Sequence, residues 1–534
     1  MSYDYVIVGA GSAGCVLANR LSADPDVRVL LVEAGGPDAA DFIHIPAAFS
    51  ALYRSAVDWD LGTGFEPGLD DRRVYLPRGK TLGGSSSINA MIYIRGNRRD
   101  YDEWAQQGCA GWGYDDLLPY FLRAEDNVRG GGEHHATGGP LRVSDSTART
   151  GLSQAFLDAA AARGLPASED FNAGRQDGFG WYQLTTRDGR RGSTAVSYLH
   201  PVMDRPNLTV ETWVHVHRVL FDGTRATGVE GSRLGELLRF DAEREVIVSA
   251  GTYLSPQILT LSGLGRPDEL ALLQIPVVAE SPGVGIGLQD HPAFGGTWVS
   301  QEPVSLKDAL NDENLALWMA DGGGPLSSNV AECGGFHRTR DGLQAPDVQF
   351  HMVSAMFEQE GLVPAPAHGF TLSCCVLKPR SRGQVAVVSP DPTTKPFIVH
   401  NYLAETEDLR SAVAGMRLAM ELARTEPLAR YAGYGHMVPA SDSEEDVIAH
   451  LRHSTQTIYH PTSTCRMGAD DGAVVDLELR VRGVDGLRVV DASVMPSVVR
   501  GNTNAPTIAI AERAADLIAG RAPLGSEGTA KAAA

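Results

Sequence analysis

Hydrophobic positions along the chain change their spacing several times, and each change predicts a different kind of element. The apolar run Tyr5-Val6-Ile7-Val8 precedes a glycine-rich turn, a helical stretch over residues 13–21 and a second apolar run over 27–32. Unbroken apolar runs are the mark of parallel strands buried on both faces, so residues 1–38 are predicted to form one βαβ unit. Residues 40–100 carry Gly, Pro and charge with little periodicity, and predict a long ordered excursion that wraps something. Helices are predicted over 114–126, where Asp in the first turn complements the helix dipole, and over 153–163. Strand spacing takes over at 208–211, 214–221, 227–230 and 245–249. The last of these runs into the small residues Ser249-Ala250-Gly251, a place where α/β sheets meet ligands. Strands at 348–353 and 383–388 predict a second, antiparallel sheet. Helices follow at 405–424 and 443–452, then a strand at 487–491 and a helix at 506–519. The tail after Gly520 is Gly, Ala, Ser and Lys and is expected to be disordered. No internal repeat is visible.

Composition narrows the classes. A chain of 534 residues with 43% hydrophobic content can bury a large core, and at ~150 residues per domain it holds about three domain equivalents. Its net charge of −20 repels a phosphate backbone, and no basic stripe outweighs this, so nucleic-acid binding is excluded as an expectation. The six cysteines show no C-x-x-C spacing, which points away from a metal site and from a redox pair. The adjacent Cys374 and Cys375 sit in an apolar run and read as small buried residues on a strand. The chain opens directly into a strand, with no basic and apolar leader, and no apolar run reaches the ~18 residues of a membrane helix. A cytoplasmic location is the default expectation.

Five segments carry chemistry. Gly9-Ala10-Gly11-Ser12-Ala13-Gly14 lies between a strand and a helix, and Glu33 ends the next strand about 20 residues on. Gly9 makes the tight turn, Gly11 lets backbone approach a pyrophosphate, and Gly14 lets helix and strand pack closely. The helix N-terminus offers partial positive charge to phosphates, and Glu33 can accept from ribose hydroxyls. This context predicts dinucleotide binding but does not separate FAD from NAD. The run Pro77 to Met91, with Gly83-Gly84-Ser85-Ser86-Ser87, suits a loop whose N–H groups face a polar ligand, although by itself it reads as a solvated loop. Gly251 to Gly265 contains Ser255-Pro256, which reads as a helix start with Ser at the cap. The fourth segment is Tyr459-His460-Pro461-Thr462-Ser463-Thr464-Cys465-Arg466-Met467-Gly468. The fifth is Asp491-Ala492-Ser493-Val494-Met495-Pro496 with Gly501 to Thr507, in which Pro506 suits a first helical turn and places Asn504 at or just before the cap.

Together these segments resemble the glucose–methanol–choline oxidoreductase family over nearly the whole chain, with residues 79–96 and 251–265 similar to its two long signature patterns. The resemblance implies FAD as cofactor. It also implies an α/β fold in which a Rossmann-like FAD-binding domain (residues 1–160, 205–296 and 455–522) is interleaved with an α+β substrate domain on an antiparallel sheet (161–204 and 297–454), followed by a disordered tail at 523–534. Beyond Gly9, Gly11, Ser12, Ala13, Gly14, Glu33 and Ala34, the implied cofactor contacts are Gly83, Gly84, Ser85, Asn89, Ala90, Met91, Val216, Ala250, Gly251, Asp491, Ala492, Asn502, Pro506 and Thr507. His460 matches the family's active-site histidine, and Asn504 is assigned its second catalytic position. His351 is expected to line the substrate cavity, with Glu332 a further substrate candidate. Ile88 stands where members with covalently attached flavin carry His, so FAD should be non-covalent. Ser463 stands where Gly is usual, and Ile286-Gly287 where Glu-Asn is common.

The activity implied is oxidation of an alcohol to a carbonyl compound by hydride transfer to the flavin, with neutral His460 as base and Asn504 holding the substrate oxygen. The N-terminus of the final helix would stabilise negative charge on the reduced ring. The alternative is a non-redox lyase of the same fold. The alcohol (choline, aliphatic, aromatic or polyether) and the acceptor (oxygen, or a quinone-like or artificial one) are left open, and no metal is implied. Other histidines, including His134, His135, His450 and His453, are expected at the surface, and His291 is expected to be structural.

Overall fold

The computed structural model describes residues 2–524. The strand Ser2–Val8 lies inside a seven-stranded sheet, between Val29–Val32 and Glu236–Val248, and pairs parallel with both. Leu208–Glu211 extends the parallel layer on one side, and Leu487–Val489 pairs parallel with the end of Glu236–Val248. That long strand has two characters. Its first part alternates exposed and partly buried positions and pairs antiparallel with Arg225–Arg233, which pairs in turn with His215–Asp222. Its end, Val246-Ile247-Val248, is fully buried, as a strand covered on both faces must be.

Val8 is in register with both Val32 and Val248, and Val248 with Val489. The parallel strands therefore end together, and Gly9, Glu33 and Ser249, which follow three of them, emerge along one edge with Asp491, two residues beyond Val489. The carboxyl edge of a parallel sheet is where such folds bind ligands. The helices Ser12–Leu21 and Asn504–Ile518 pack against each other, and Arg20 of the first pairs with the fully buried Glu512 of the second at 2.7 Å.

A second seven-stranded sheet is antiparallel along its main path: Tyr434–Met437, Pro292–Val299, Gly369–Val376, Val348–Val353, Cys333–His337 and Gly178–Trp181, with Gln456–Thr457 also paired to Pro292–Val299. The predicted strand at 383–388 is shorter, Gly383–Ala386, and belongs to a separate three-stranded sheet. Helices Thr406–Ala423 and Gly151–Ala162 pack on the large sheet. The period-2 rule decides what faces where. In Val348–Val353, the side chains of Val348, Phe350 and Met352 join the core beneath the helices. Between them, His351 and Val353 line a cavity on the other side. Cys374 packs so tightly under Thr406–Ala423 that a Cβ at Gly415 would come within 2.7 Å of its sulfur.

Residues 40–100 form short helices and strands rather than long elements. All six cysteines are buried free thiols. Among the described residues no helix is long and apolar enough to cross a membrane. The expected tail disorder falls outside the described residues from 525 onward. Just before it, the Leu524 N–H donates to the Tyr120 hydroxyl and its side chain packs on the first core, so the chain is anchored to that point.

Candidate functional site

One elongated cavity runs between the two sheets, from Glu33 and Val216 to His351 and His460. The glycine turn opens it. Gly9 has φ +98°, and a Cβ there would meet the Ser249 carbonyl oxygen at 2.5 Å. A Cβ at Gly14 would meet the Gly9 oxygen at 1.9 Å, so that glycine is needed for helix–strand packing. Gly11 differs: a Cβ there would meet no protein atom within 4 Å. A Cβ at Gly11 would instead point into open space of the cavity. No side chain caps the helix that starts at Ser12, so its first N–H groups are free to face an anion.

Glu33 is buried at the end of its strand, and its carboxylate accepts from the N–H groups of Ala10 and Gly35, each at 2.8 Å. Burial pushes its pKa up to about 7, with those two bonds opposing. The run Pro77 to Met91 is not a solvated loop. Gly84–Ser87 forms a 3-10 turn, Ser86 and Ser87 are buried and bond back to the Gly83 and Leu82 carbonyls, and Gly84 and Ser85 line the cavity. Asn89 accepts from the Met91 N–H and from the buried Arg191 guanidinium. Asp491 accepts from the Gly251 N–H at 2.9 Å, the Ser255 hydroxyl at 2.6 Å and the Ser493 N–H at 2.8 Å. Ser255 is thereby committed to Asp491, and the helix it was expected to cap starts earlier, as Leu254–Leu261.

Ala34, Ala90, Met91, Val216, Ala250, Ala492, Asn502 and Thr507 also line the cavity, whereas Gly83 and Pro506 stand behind its wall. Three cavity residues, Met91, Val330 and Tyr459, hold left-handed φ of 58°, 69° and 70°. Such strain in non-glycine residues, least favourable for a β-branched one, gathers where a site over-determines the backbone. Ser463 does the same at φ 79°, in the position where the family usually has glycine.

At the far end, the Asn502 Nδ2 lies 3.2 Å from His460 Nε2. Asn504, expected in that place, is instead the first residue of the final helix, and its Oδ1 accepts from the Ser12 hydroxyl at 2.8 Å. The amide that meets the histidine is therefore Asn502. His460 is held from behind by the fully buried Asp290, which accepts from the backbone N–H groups of His460 and His291 and from the hydroxyls of Thr457 and Tyr402. Burial first, with the charge of Arg78 acting the same way, holds the His460 pKa well below the histidine range, so the ring is neutral. His351 lines the cavity with neither ring nitrogen hydrogen-bonded.

Glu332 is not at the cavity. It is fully buried and accepts from the Thr150 N–H and hydroxyl and from the Ser153 and Ser328 hydroxyls, which makes it an anchor for the start of Gly151–Ala162. Two histidines expected at the surface are also engaged. His450 is buried against the Gly295 carbonyl, and His135 lies between Asp170 and Glu125, which outweigh its burial and raise its pKa to about 9. Asp290 and Arg191 escaped the sequence reading because their partners are distant in the chain. The local signal was a carboxylate in the polar triplet Gln289-Asp290-His291 just before the strand Pro292–Val299.

A cradle with two helix N-termini, a glycine that faces open space of the cavity, and a buried acid at the second strand end fits the dinucleotide of FAD. The comparisons agree. Sequence models described as GMC oxidoreductase match residues 3–293 and 379–511. Oxygen-dependent choline dehydrogenase of Burkholderia cenocepacia is 46% identical, covering 98% of this chain and 94% of its own length. Mitochondrial choline dehydrogenase of Mus musculus is 43% identical, covering 98% and 90%. Among solved structures, pyridoxine 4-oxidase from Mesorbium loti superposes with a TM-score of 0.90 at 32% identity, covering 98% of this chain and 100% of that one. Formate oxidase superposes at 0.92 with 28% identity, covering 97% and 98%. These relatives are dehydrogenases and oxidases, and nothing among them supports the lyase alternative. The chain is an FAD-dependent oxidoreductase acting on CH–OH groups, and it belongs to the GMC oxidoreductase family.

Proposed function

We propose that the protein oxidises a neutral alcohol with an apolar body, using His460 as the base. The observation that carries this is the placement of His460 Nε2 and the Asn502 amide where the cofactor cradle meets an apolar pocket. Bound FAD supplies the hydride acceptor. The chain's own part is to take the hydroxyl proton at His460 Nε2, to hold the substrate oxygen with Asn502 and the unpartnered His351, and to exclude water with apolar walls. Ile88 lines the cavity with no nucleophile, which supports non-covalent attachment of FAD.

The charge of the pocket selects the substrate. Its outer end is lined by Phe49, Tyr53, Ile88, Val353, Phe357 and Tyr459. The carboxylates that line the cavity are Glu33 and Asp491, both committed to backbone on the cofactor side. Arg78 also lines the cavity, and its guanidinium donates to the Tyr459 carbonyl. Glu360 couples to Tyr53 and Tyr459 but does not line the cavity. Burial pushes its own pKa up to about 7, with Arg72 and Arg54 opposing. A quaternary ammonium would leave water for a pocket end whose lining charge is the Arg78 cation. A second reading rests on the choline dehydrogenases among the relatives and on ring faces that attract cations, worth about 0.5–2 kcal/mol. Anaerobic flavin reduction by choline and by its neutral isostere 3,3-dimethylbutan-1-ol separates the two. Faster and tighter reaction of the neutral alcohol supports the proposal, and preference for choline overturns it.

A further inference from the structure

Behind the proposed base stands a second imidazole. His291 is fully buried, and its Nδ1 lies 3.0 Å from His460 Nδ1, with the rings edge to face at 85°. Two ring nitrogens this close must share one proton. Which ring owns it follows from a chain of hydrogen bonds that starts at the main chain. The Tyr182 hydroxyl donates to the Phe350 carbonyl at 2.6 Å. Its proton is thus committed, and the Gln349 group 3.2 Å away must donate to it, so Gln349 presents its NH2 there. The same NH2 meets Asn502 3.2 Å away, so Asn502 presents its carbonyl oxygen to Gln349 and its NH2 to His460. His460 Nε2 is then the acceptor, and the ring proton sits on Nδ1, donated to His291 Nδ1.

We infer that His291 is a positioning residue for catalysis: its Nδ1 lone pair holds His460 in the tautomer whose Nε2 faces the cavity, and stabilises the imidazolium formed when Nε2 takes the alcohol proton. The proton account balances. The hydroxyl proton goes to Nε2, the proton on Nδ1 stays there, and its bond to His291 gains charge assistance. His291 must stay neutral to accept, and burial pushes its pKa down to about 4, with backbone groups of Leu377 and Val499 opposing. Its Nε2 makes no hydrogen bond of normal geometry, so the ring's engaged side is the one toward His460. A base oriented by a third group on its far nitrogen is the logic of catalytic triads, with a neutral imidazole here in place of a carboxylate.

The inference rests on the reading of His460 as base, and the experiment keeps the two apart. In the FAD-loaded protein, His291→Leu removes the acceptor at similar volume, and His291→Asn offers an amide oxygen in its place. His291→Leu should slow anaerobic flavin reduction ~10-fold or more and move its ionisation to lower pH, and His291→Asn should recover most of the rate. Added to His460→Ala, His291→Leu should cost nothing further, because it acts through His460. Ring 15N resonances of the oxidised protein without substrate give a readout besides turnover. They should show His460 protonated at Nδ1, with that proton lost or exchange-broadened in His291→Leu. An unchanged rate and ionisation in folded, FAD-replete His291→Leu would overturn the inference, as would a His460 ring protonated at Nε2. A wild-type rate in His460→Ala would instead overturn the base assignment itself.

Discussion

Asn502 places its amide 3.2 Å from His460 Nε2. Asn504, two residues later, is tied to Ser12 and couples the first turns of two helices. Substitution should therefore separate two roles. His460→Ala should retain FAD while flavin reduction falls ~10²–10⁴-fold, the usual worth of a general base. Asn502→Ala should cost less, since it removes orientation and one hydrogen bond. Asn504→Ala should leave the reduction rate near wild type while weakening FAD retention, because both helix N-termini it joins line the cavity that would hold FAD. Stopped-flow reduction and flavin content on the three variants check this. A rate loss in Asn504→Ala equal to that in Asn502→Ala would refute the assignment.

Glu33 has two duties. It faces the position expected for the adenosine ribose, and it satisfies the N–H groups of Ala10 and Gly35 at the turn. Glu33→Ala should weaken FAD retention and also lower the melting temperature of the FAD-free protein, since each buried N–H left without a partner costs about 1–3 kcal/mol. A full flavin content with an unchanged melting curve would show that neither duty matters.

Ile88 is buried and lines the cavity at the position that carries the tethering histidine in relatives with covalent flavin. Acid precipitation should release all yellow colour into the supernatant. Colour that stays with the pellet would identify another attachment point.

The parts of the molecule legible in the sequence are those in which a local pattern has one physical cause. The runs at 5–8 and 27–32 are apolar without interruption because both faces of their strands are covered, and they form the expected parallel pair. Val348–Val353 was legible as a strand, but the division of its faces between core and cavity depends on the sheet above it. Where a role turns on the start of a helix, the pattern fails by a residue or two. Pro506 suggests a helix beginning at that proline, yet the helix includes Asn504, and the amide found beside His460 is that of Asn502. His291 and His460 are 169 residues apart, and Glu332 anchors a helix start more than 170 residues before it. No local signal reports such pairings, and a buried carboxylate with its hydrogen bonds satisfied looks, in sequence, like a candidate for chemistry.

The pH dependence gives a test with a definite sign. A base must be neutral to take a proton, so flavin reduction rises with pH through the ionisation of His460 and is flat above it. An unperturbed histidine would place that rise near pH 6.5. Burial disfavours the imidazolium, and the charge of Arg78 acts in the same direction, so the His460 pKa lies well below that value. The expected profile is a plateau across neutral pH, with the fall displaced to the acid side of the ordinary histidine range. The low basicity has a cost in proton-transfer driving force, which the Nδ1 contact with His291 offsets by stabilising the imidazolium. Limiting reduction rates under anaerobic conditions, measured across the acid and neutral range, check this. A rise centred at or above the ordinary histidine value would mean that the ring is solvated or paired with an anion during catalysis, and the neutral, buried base described here would have to be abandoned.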